Sequence, residues 1–463
     1  MSRESSARVQ LSFGGEQFAA GTSRPNCFRP IHYLGSKLRL ADRIVGAIET
    51  VAGPCGAIVD LFAGSGTLSL AMGDRREVVS VDIQEYSRVL CSALLRPLSH
   101  KLGPSIGEIA RRSATYDALR WSIEPLIQHE ARCVQEASEG RLDPLCDLVE
   151  NASLFALAQG RLSASTSAEL SRALARSAGR LRKRALQNDA KSLVTRYFGG
   201  PYFSFSQAVE LDAVLEVAHA APPTRRDTLL AIVLSTVSDT VNTVGKQFAQ
   251  PIRPRDGRGQ PKGNLLRQVL RDRSRKVFET VSAWTERYRT LPTSRRKHRA
   301  VRSDYRDFLT SCRLKVAAVY ADPPYTRDHY SRYYHVLETI CLRDSPQVST
   351  MRSNGRELLS RGLYRADRHQ SPFCIKTQAP TAFRGLFESV RRIGAPLIVS
   401  YSPYLADEGA RPRLMTVENI VKLAREQFSN VSVSTLEHAH NKFNQQIVNT
   451  RVFPDSEVLV ICT

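Results

Sequence analysis

No two cysteines of this chain stand at the C-x-x-C interval, and no histidines and cysteines gather at zinc-binding spacing. The nine cysteines are dispersed at 27, 55, 91, 133, 146, 312, 341, 374 and 462. This excludes a zinc ribbon or a dithiol redox centre and reads as reduced core or surface thiols, with no metal site expected. Nowhere is there an uncharged apolar run of about 18 residues, the length of a membrane helix. The opening MSRESSARVQ has no apolar stretch behind its charges, so neither a leader nor a membrane span is expected, and the chain reads as cytoplasmic.

Acidic residues are the minority charge. The chain carries 66 Lys and Arg against 45 Asp and Glu, a net charge of +21, and an excess of that size favours a polyanionic partner. The excess is also local: residues 251–315 hold 19 basic and 6 acidic side chains, so +13 of the total lies there. Trp284, Tyr288 and Tyr305 are interleaved with the arginines, which suits nucleic acid better than a small anion, although charge runs also form solvated helix faces. Within NTVGKQFAQPIRPRDGRG (242–259), Lys246, Gln247, Arg253, Arg255 and Arg258 are candidates for reading base edges. Arg295, Arg296 and Lys297 of SRRKHR are candidates for tracking phosphates.

What is present along the chain is organised as strands and helices in alternation, interrupted once. IHYLGSKLRLADRIVGAIETV (31–51) is a turn followed by an amphipathic helix, with Leu40, Ile44, Ile48 and Val51 at helical spacing. GAIVDLFAGSGTLSLAM then reads as strand, glycine turn and helix, and EVVSVDIQ as a second strand ending on Asp82. From about 100 to 230 the pattern is helical. Strand character returns at LKVAAVY, APLIVSYS, VSVSTLE and SEVLVICT. An α/β domain with about 220 residues inserted into it is expected.

Two motifs carry chemistry. Gly64 and Gly66 permit positive φ and let backbone N–H groups approach a ligand, while Asp82, 16 residues beyond Gly66, is placed for two ribose hydroxyls. Ser69 stands where the third glycine of a dinucleotide fingerprint belongs, which disfavours dinucleotides. At 319–325 the chain reads VYADPPY. Two consecutive prolines hold Asp322, Pro323, Pro324 and Tyr325 in a stiff extended turn at a strand's end, so that a carboxylate and a backbone carbonyl can accept from one amino group beside an aromatic ring. The shelf suits the exocyclic amine of a nucleobase; a strand stop with a core tyrosine would look the same.

YLGSK at 33–37, VDLFAGSG at 59–66, Asp82 and ADPPY at 321–325, in that order, resemble the Dam-type DNA adenine N6-methyltransferases, in which target recognition lies between cofactor and catalytic motifs. The likeness extends more weakly to LIVSYS at 397–402 and the tail NTRVFPDSEVLVICT, and covers 100–230 by no motif. It implies an α/β, Rossmann-like sheet that binds S-adenosylmethionine. The implied division is an arm at 1–30, a cofactor-binding part at 31–98, a helical and basic target-recognition insertion at 99–310, and a catalytic part at 311–463. By resemblance Tyr33 and Lys37 line the cofactor pocket, the lysine near the methionine carboxylate. Asp60, Phe62, Ala63, Gly64 and Gly66 surround the cofactor, Asp82 grips its ribose, and Asp304, with Asp307 as competitor, touches its adenine.

The resemblance further implies that Asp322 and the Pro323 carbonyl hold the amine of a flipped adenine in double-stranded DNA while Tyr325 stacks on the base. Tyr330, Tyr333 or Tyr334 of YSRYYHVLE would close over it. A restriction endonuclease or defence-system subunits are the implied partners, or the protein acts as a solitary regulator. An RNA adenine methyltransferase and a DNA-binding protein on a decayed scaffold are the alternatives.

Overall fold

The computed structural model describes residues 28–98, 103–353, 356–402, 413–437 and 455–463. Nearly all of the arm expected at 1–30, and 449–454 of the tail motif, lie outside the described residues. Among the described residues nine strands form: β1 (Ala57–Leu61), β2 (Val78–Asp82), β3 (Arg299–Arg302), β4 (Val316–Ala321), β5 (Thr350–Ser353), β6 (Arg356–Leu359), β7 (Leu397–Tyr401), β8 (Val431–Glu437) and β9 (Asp455–Cys462). Seven of them make one sheet in the order β3-β2-β1-β4-β7-β9-β8. β3, β2, β1, β4 and β7 run parallel, whereas β9 lies antiparallel between β7 and β8.

The central strands are apolar on both faces because both faces are covered. Val59, Val79, Val319 and Val399 pack toward the Tyr305–Ser311, Ala379–Arg392 and Val417–Arg425 helices. Their neighbours Ile58, Val78, Ala318 and Ile398 meet the Ala41–Val51 and Thr67–Gly73 helices. The chain runs outward from β1 through β2 to β3 and then returns to place β4 on β1's other side. This leaves a crevice at the carboxyl ends of β1 and β4, the position where open α/β sheets bind ligands.

Helices dominate from Ile106 to Thr240, over the 100–230 span expected to be helical, and after a loop at 247–262 two more follow, Gly263–Arg273 and Val277–Arg289. The Phe205–Ala220 and Pro223–Thr240 helices are buried almost all round, so neither shows a polar stripe. Ser204 and Gln207 form a reciprocal capping box that fixes where the first one starts. These two helices share one core with the Glu85–Leu95, Val277–Arg289 and His335–Leu342 helices, while the Ala114–Ser138, Asp143–Asn151, Ala168–Lys183 and Gly263–Arg273 helices build a second, joined to the first through Phe205 and Val209. The boundary expected at 310 is corrected: β3, at Arg299–Arg302, pairs parallel with β2 and so belongs to the sheet. Its sequence, RAVR, is too short and too charged to have announced a strand. No helix among the described residues is long and apolar enough to cross a membrane.

Candidate active site

The crevice opens into a cleft with about 1160 Å³ of space inside it and at its mouth. Its walls come from the Tyr33–Lys37 turn, Asp60, the loop after β1, Asp82, Asp304, Asp322–Tyr325, His329–Ser331 and His369. Sequence motifs separated by almost 300 residues thus meet at one sheet edge. Asp304, at the end of β3, lines the cleft and caps the next helix by accepting from the Arg306 N–H at 2.8 Å, whereas Asp307 is exposed and outside it.

The glycine loop is built differently from the sequence expectation. The Gly64 N–H donates to Asp82 Oδ2 at 2.9 Å and the Gly66 N–H to the Ala63 carbonyl at 2.9 Å, so both donors are spent inside the protein. What glycine permits is close approach: Gly64 has φ +54°, and a Cβ there would stand 2.6 Å from the Tyr33 hydroxyl oxygen. Phe62 also holds a positive φ of 61°, a strained conformation for an aromatic residue, wedged between Tyr305 and Phe373. Asp82 accepts from Gln84 N–H with its other oxygen, and burial still raises its pKa against these bonds. Asp60, buried, accepts from the Ser69 hydroxyl, and burial pushes its carboxyl up to about 7.

Asp322 sits at the end of β4. Lys37 Nζ lies 3.2 Å from its Oδ2 and 3.0 Å from Glu457 Oε1 of β9. Lys37 is therefore bracketed by two protein carboxylates, which differs from the place beside a cofactor carboxylate that the resemblance implies. Burial opposes its charge, but Asp322 and Glu457 outweigh burial and hold its pKa well above the usual lysine value. Burial, relieved in part by Lys37 and reinforced by Glu457, pushes the Asp322 carboxyl up to about 6. Asp322 Oδ1 is buried with no hydrogen-bond partner. Glu457, fully buried, also accepts from Ser400 Oγ at 2.6 Å. Sequence reasoning missed it, yet a lone carboxylate inside the apolar strand SEVLVICT is itself a signal that a buried cation faces it.

Tyrosines form the remaining wall. Tyr33 stacks on Tyr334 with centroids 4.9 Å apart and meets Tyr330 at 5.7 Å. Tyr334 is fully buried and accepts from the Leu34 N–H at 2.6 Å, and Tyr333 lies in the core near Asp328, leaving Tyr330 as the member of that segment on the cleft. Tyr325 is held between Tyr401, Arg413 and Lys37.

The basic candidates do not converge in the same way. Lys246 turns inward, with Nζ 3.0 Å from the buried Asp272 and bonded to the Asp239 and Val241 carbonyls. Arg255 pairs with Asp143 at 2.5 Å and Glu150 at 3.3 Å. Each finds carboxylates of its own chain at hand. Arg295, Arg296 and Lys297 are exposed, but they precede β3 and so lie at the amino ends of the strands, opposite the cleft. Arg253 and Arg258 are exposed and Gln247 is half-buried.

A mainly parallel seven-stranded sheet of this order is compatible with a methyltransferase fold. Residues 33–137 match the family model described as D12 class N6 adenine-specific DNA methyltransferase, a match consistent with the Dam-type family. It indicates that the chain is an adenine-specific DNA methyltransferase. The matched stretch holds Tyr33, Lys37, the glycine loop and Asp82 and ends before Asp322. A search of curated proteins finds no match.

Proposed function

We propose that the chain transfers a methyl group from S-adenosylmethionine to the exocyclic N6 amine of adenine at a defined sequence in duplex DNA. The observation that carries the reading is Asp322 Oδ1, a buried carboxylate oxygen without a partner in the wall of the cleft, beside a proline pair that fixes the next carbonyl. A buried acceptor left unsatisfied is costly unless a donor arrives. The amine has two N–H groups, and Asp322 with the Pro323 carbonyl supplies two acceptors. Held that way, the nitrogen's lone pair points out of the base plane, and Tyr325 stacks on the ring. No strong base is needed, since the methylated nitrogen sheds its proton afterwards. Lys37 keeps Asp322 ionised against its burial.

The donor set fits the cofactor. Asp82 and Asp304, at the ends of adjacent strands, are acceptors for ribose hydroxyls and an adenine amine, and Asp60 and Phe62–Gly66 line the space between. When bound, S-adenosylmethionine supplies an electrophilic methyl group on a sulfonium. The inserted region at 99–310, with its loop at 242–259, serves target recognition in this reading, and the base enters the cleft flipped from the duplex. The biological role we assign is modification beside a restriction endonuclease, a defence system, or solitary regulation. The test is transfer of labelled methyl from S-adenosylmethionine to unmethylated duplex DNA, RNA and protein in parallel. Label in duplex adenine is expected, and label in RNA alone would replace this reading with an RNA methyltransferase.

A further inference from the structure

Arginines without carboxylate partners stand beside the cleft. Arg332 and Arg368 lie over the Tyr364 ring at 5.0 and 5.1 Å. They adjoin in sequence Ser331 and His369, which line the cleft. Arg361 donates to the Ile252 carbonyl at 2.8 Å, on the loop that carries the exposed Arg253. Among the described residues none of these four makes an ion pair, whereas their neighbour Arg365 is held by Asp344 and Asp367. Arg332 Nε is buried with no acceptor. Burial and then Arg253 depress the Arg361 pKa, and burial and then Arg332 depress that of Arg368. Like charges crowded in this way favour an arriving anion.

The β5–β6 hairpin rises from the same segment. It is a separate two-stranded sheet in which Met351 stands directly opposite Leu358, and these side chains are 55% and 47% exposed. The adjacent Leu359 faces the other way and packs on the core with Val348. An isolated hairpin is marginally stable. This one is tied at its foot by the Val348–Arg365 bridge and the Ser349–Tyr364 and Ser360–Ser349 hydrogen bonds, and along its side by Glu357 to Arg161 at 2.9 Å. Single exposed apolar residues need no explanation, but a cross-strand pair held outward on a tethered ribbon beside uncompensated arginines does. A two-stranded ribbon also has the width the major groove admits.

We propose that Arg253, Arg332, Arg361 and Arg368, with Met351 of β5 and Leu358 of β6, form a docking strip for duplex DNA, the arginines on phosphates and the Met351–Leu358 pair against the groove wall. The strip rests on the methyltransferase reading for the placement of the cleft, and it joins Arg253 of the recognition loop to Arg332, Arg361, Arg368, Met351 and Leu358, a DNA contact within the catalytic part of the chain. The test measures binding of a fluorescein-labelled unmethylated duplex across a salt series. The variants are Arg253→Ala with Arg361→Ala, and Met351→Ser with Leu358→Ser, all at exposed positions.

The arginine variant is expected to lose about tenfold in affinity and to flatten the salt slope by about one unit per lost phosphate contact. The hairpin variant should lose several-fold with the slope unchanged, and calorimetry should show S-adenosylmethionine binding intact in both. Arg361→Lys, which keeps the charge without the guanidinium's bond to Ile252, should retain the wild-type slope and separates charge from folding. Wild-type duplex binding by both double variants, or weakened binding of an RNA hairpin alone, overturns the strip. Wild-type protein that methylates duplex DNA as well as both variants do sinks the strip and leaves the enzymatic reading standing. Duplex binding through the strip with no methyl transfer does the reverse.

Discussion

The cleft at the strand ends and the basic stretch of 251–315 were equally prominent in sequence, and the fold treats them in opposite ways. Around the cleft, Tyr33, Lys37, Asp60, Gly64, Asp82, Asp304 and Asp322 converge from distant segments. In and just before the basic stretch, Lys246 and Arg255 are consumed by Asp272, Asp143 and Glu150, and Arg295–Lys297 sit at the other edge of the sheet. The aspartates and the glycine of the first set take their place from backbone, since a strand end or a tight turn leaves little choice of where a short side chain goes, and Lys37 is fixed among them by Asp322 and Glu457. The others are long flexible cations, whose partners are settled by whichever carboxylate the tertiary structure brings near. Charge in a sequence therefore forecasts the kind of partner better than the contact residues.

That contrast can be broken in order of effect. Asp322→Ala should lower methyl transfer by roughly 10²-fold or more while cofactor affinity stays within a few-fold, because the side chain acts on the target amine; rates and calorimetry on one preparation decide it. Lys246→Met should leave the salt slope of duplex binding unchanged but cost about 1.5–3 kcal/mol of stability, since it removes the nearest cation of the buried Asp272 and leaves only Arg271 at 3.6 Å and Arg275 at 3.9 Å. A flatter slope with an unchanged melting temperature would restore Lys246 as a DNA contact. Asp82→Asn should weaken S-adenosylmethionine binding by about 1.5–3 kcal/mol, with the rate partly recovered at saturating cofactor. Unchanged affinity would reduce Asp82 to the brace of the glycine loop that its bonds to Gly64 and Gln84 already make it.

A smaller effect concerns pH. If Asp322 must be ionised to accept from the amine, methyl transfer falls as pH drops through its pKa of about 6. Removing a neighbouring anion eases ionisation and removing the cation hinders it. Glu457→Gln should therefore move the acid limb of the pH–rate profile down and Lys37→Met should move it up, each by about one unit. Limbs that stay in place would show that the triad is scaffolding. Last, Arg295, Arg296 and Lys297 changed together to Ala should leave duplex binding within twofold, and a clear loss would bring the far sheet edge into the DNA interface.

How much was legible follows from the same contrast. Apolar runs announced β1, β2, β4 and β7, because buried parallel strands are nearly continuous in hydrophobicity, while alternation in VSVSTLE and the run in SEVLVICT announced the antiparallel pair β8 and β9. β3 escaped because an edge strand of four residues, RAVR, needs little apolar content. The Thr350–Leu359 hairpin escaped for a related reason: it keeps only one face on the body and shows the other to solvent. In the site, motif residues were found, but the pairing of Lys37 with Glu457 was not. It depends on β9 entering the sheet antiparallel beside β7, a long-range fact that no local pattern carries. The glycine loop taught the same lesson, since its N–H groups were expected to meet a ligand and instead meet Asp82 and Ala63.

The central claim is that Asp322 presents the exocyclic amine of a duplex adenine for methylation. Long-read sequencing of DNA from cells expressing wild-type protein or Asp322→Ala, scored for modified adenine, tests it most directly. The account predicts N6-methyladenine at one recurring sequence with the wild type and at none with the variant. Unmodified DNA from wild-type cells, or the same modified sites with Asp322→Ala, would contradict it.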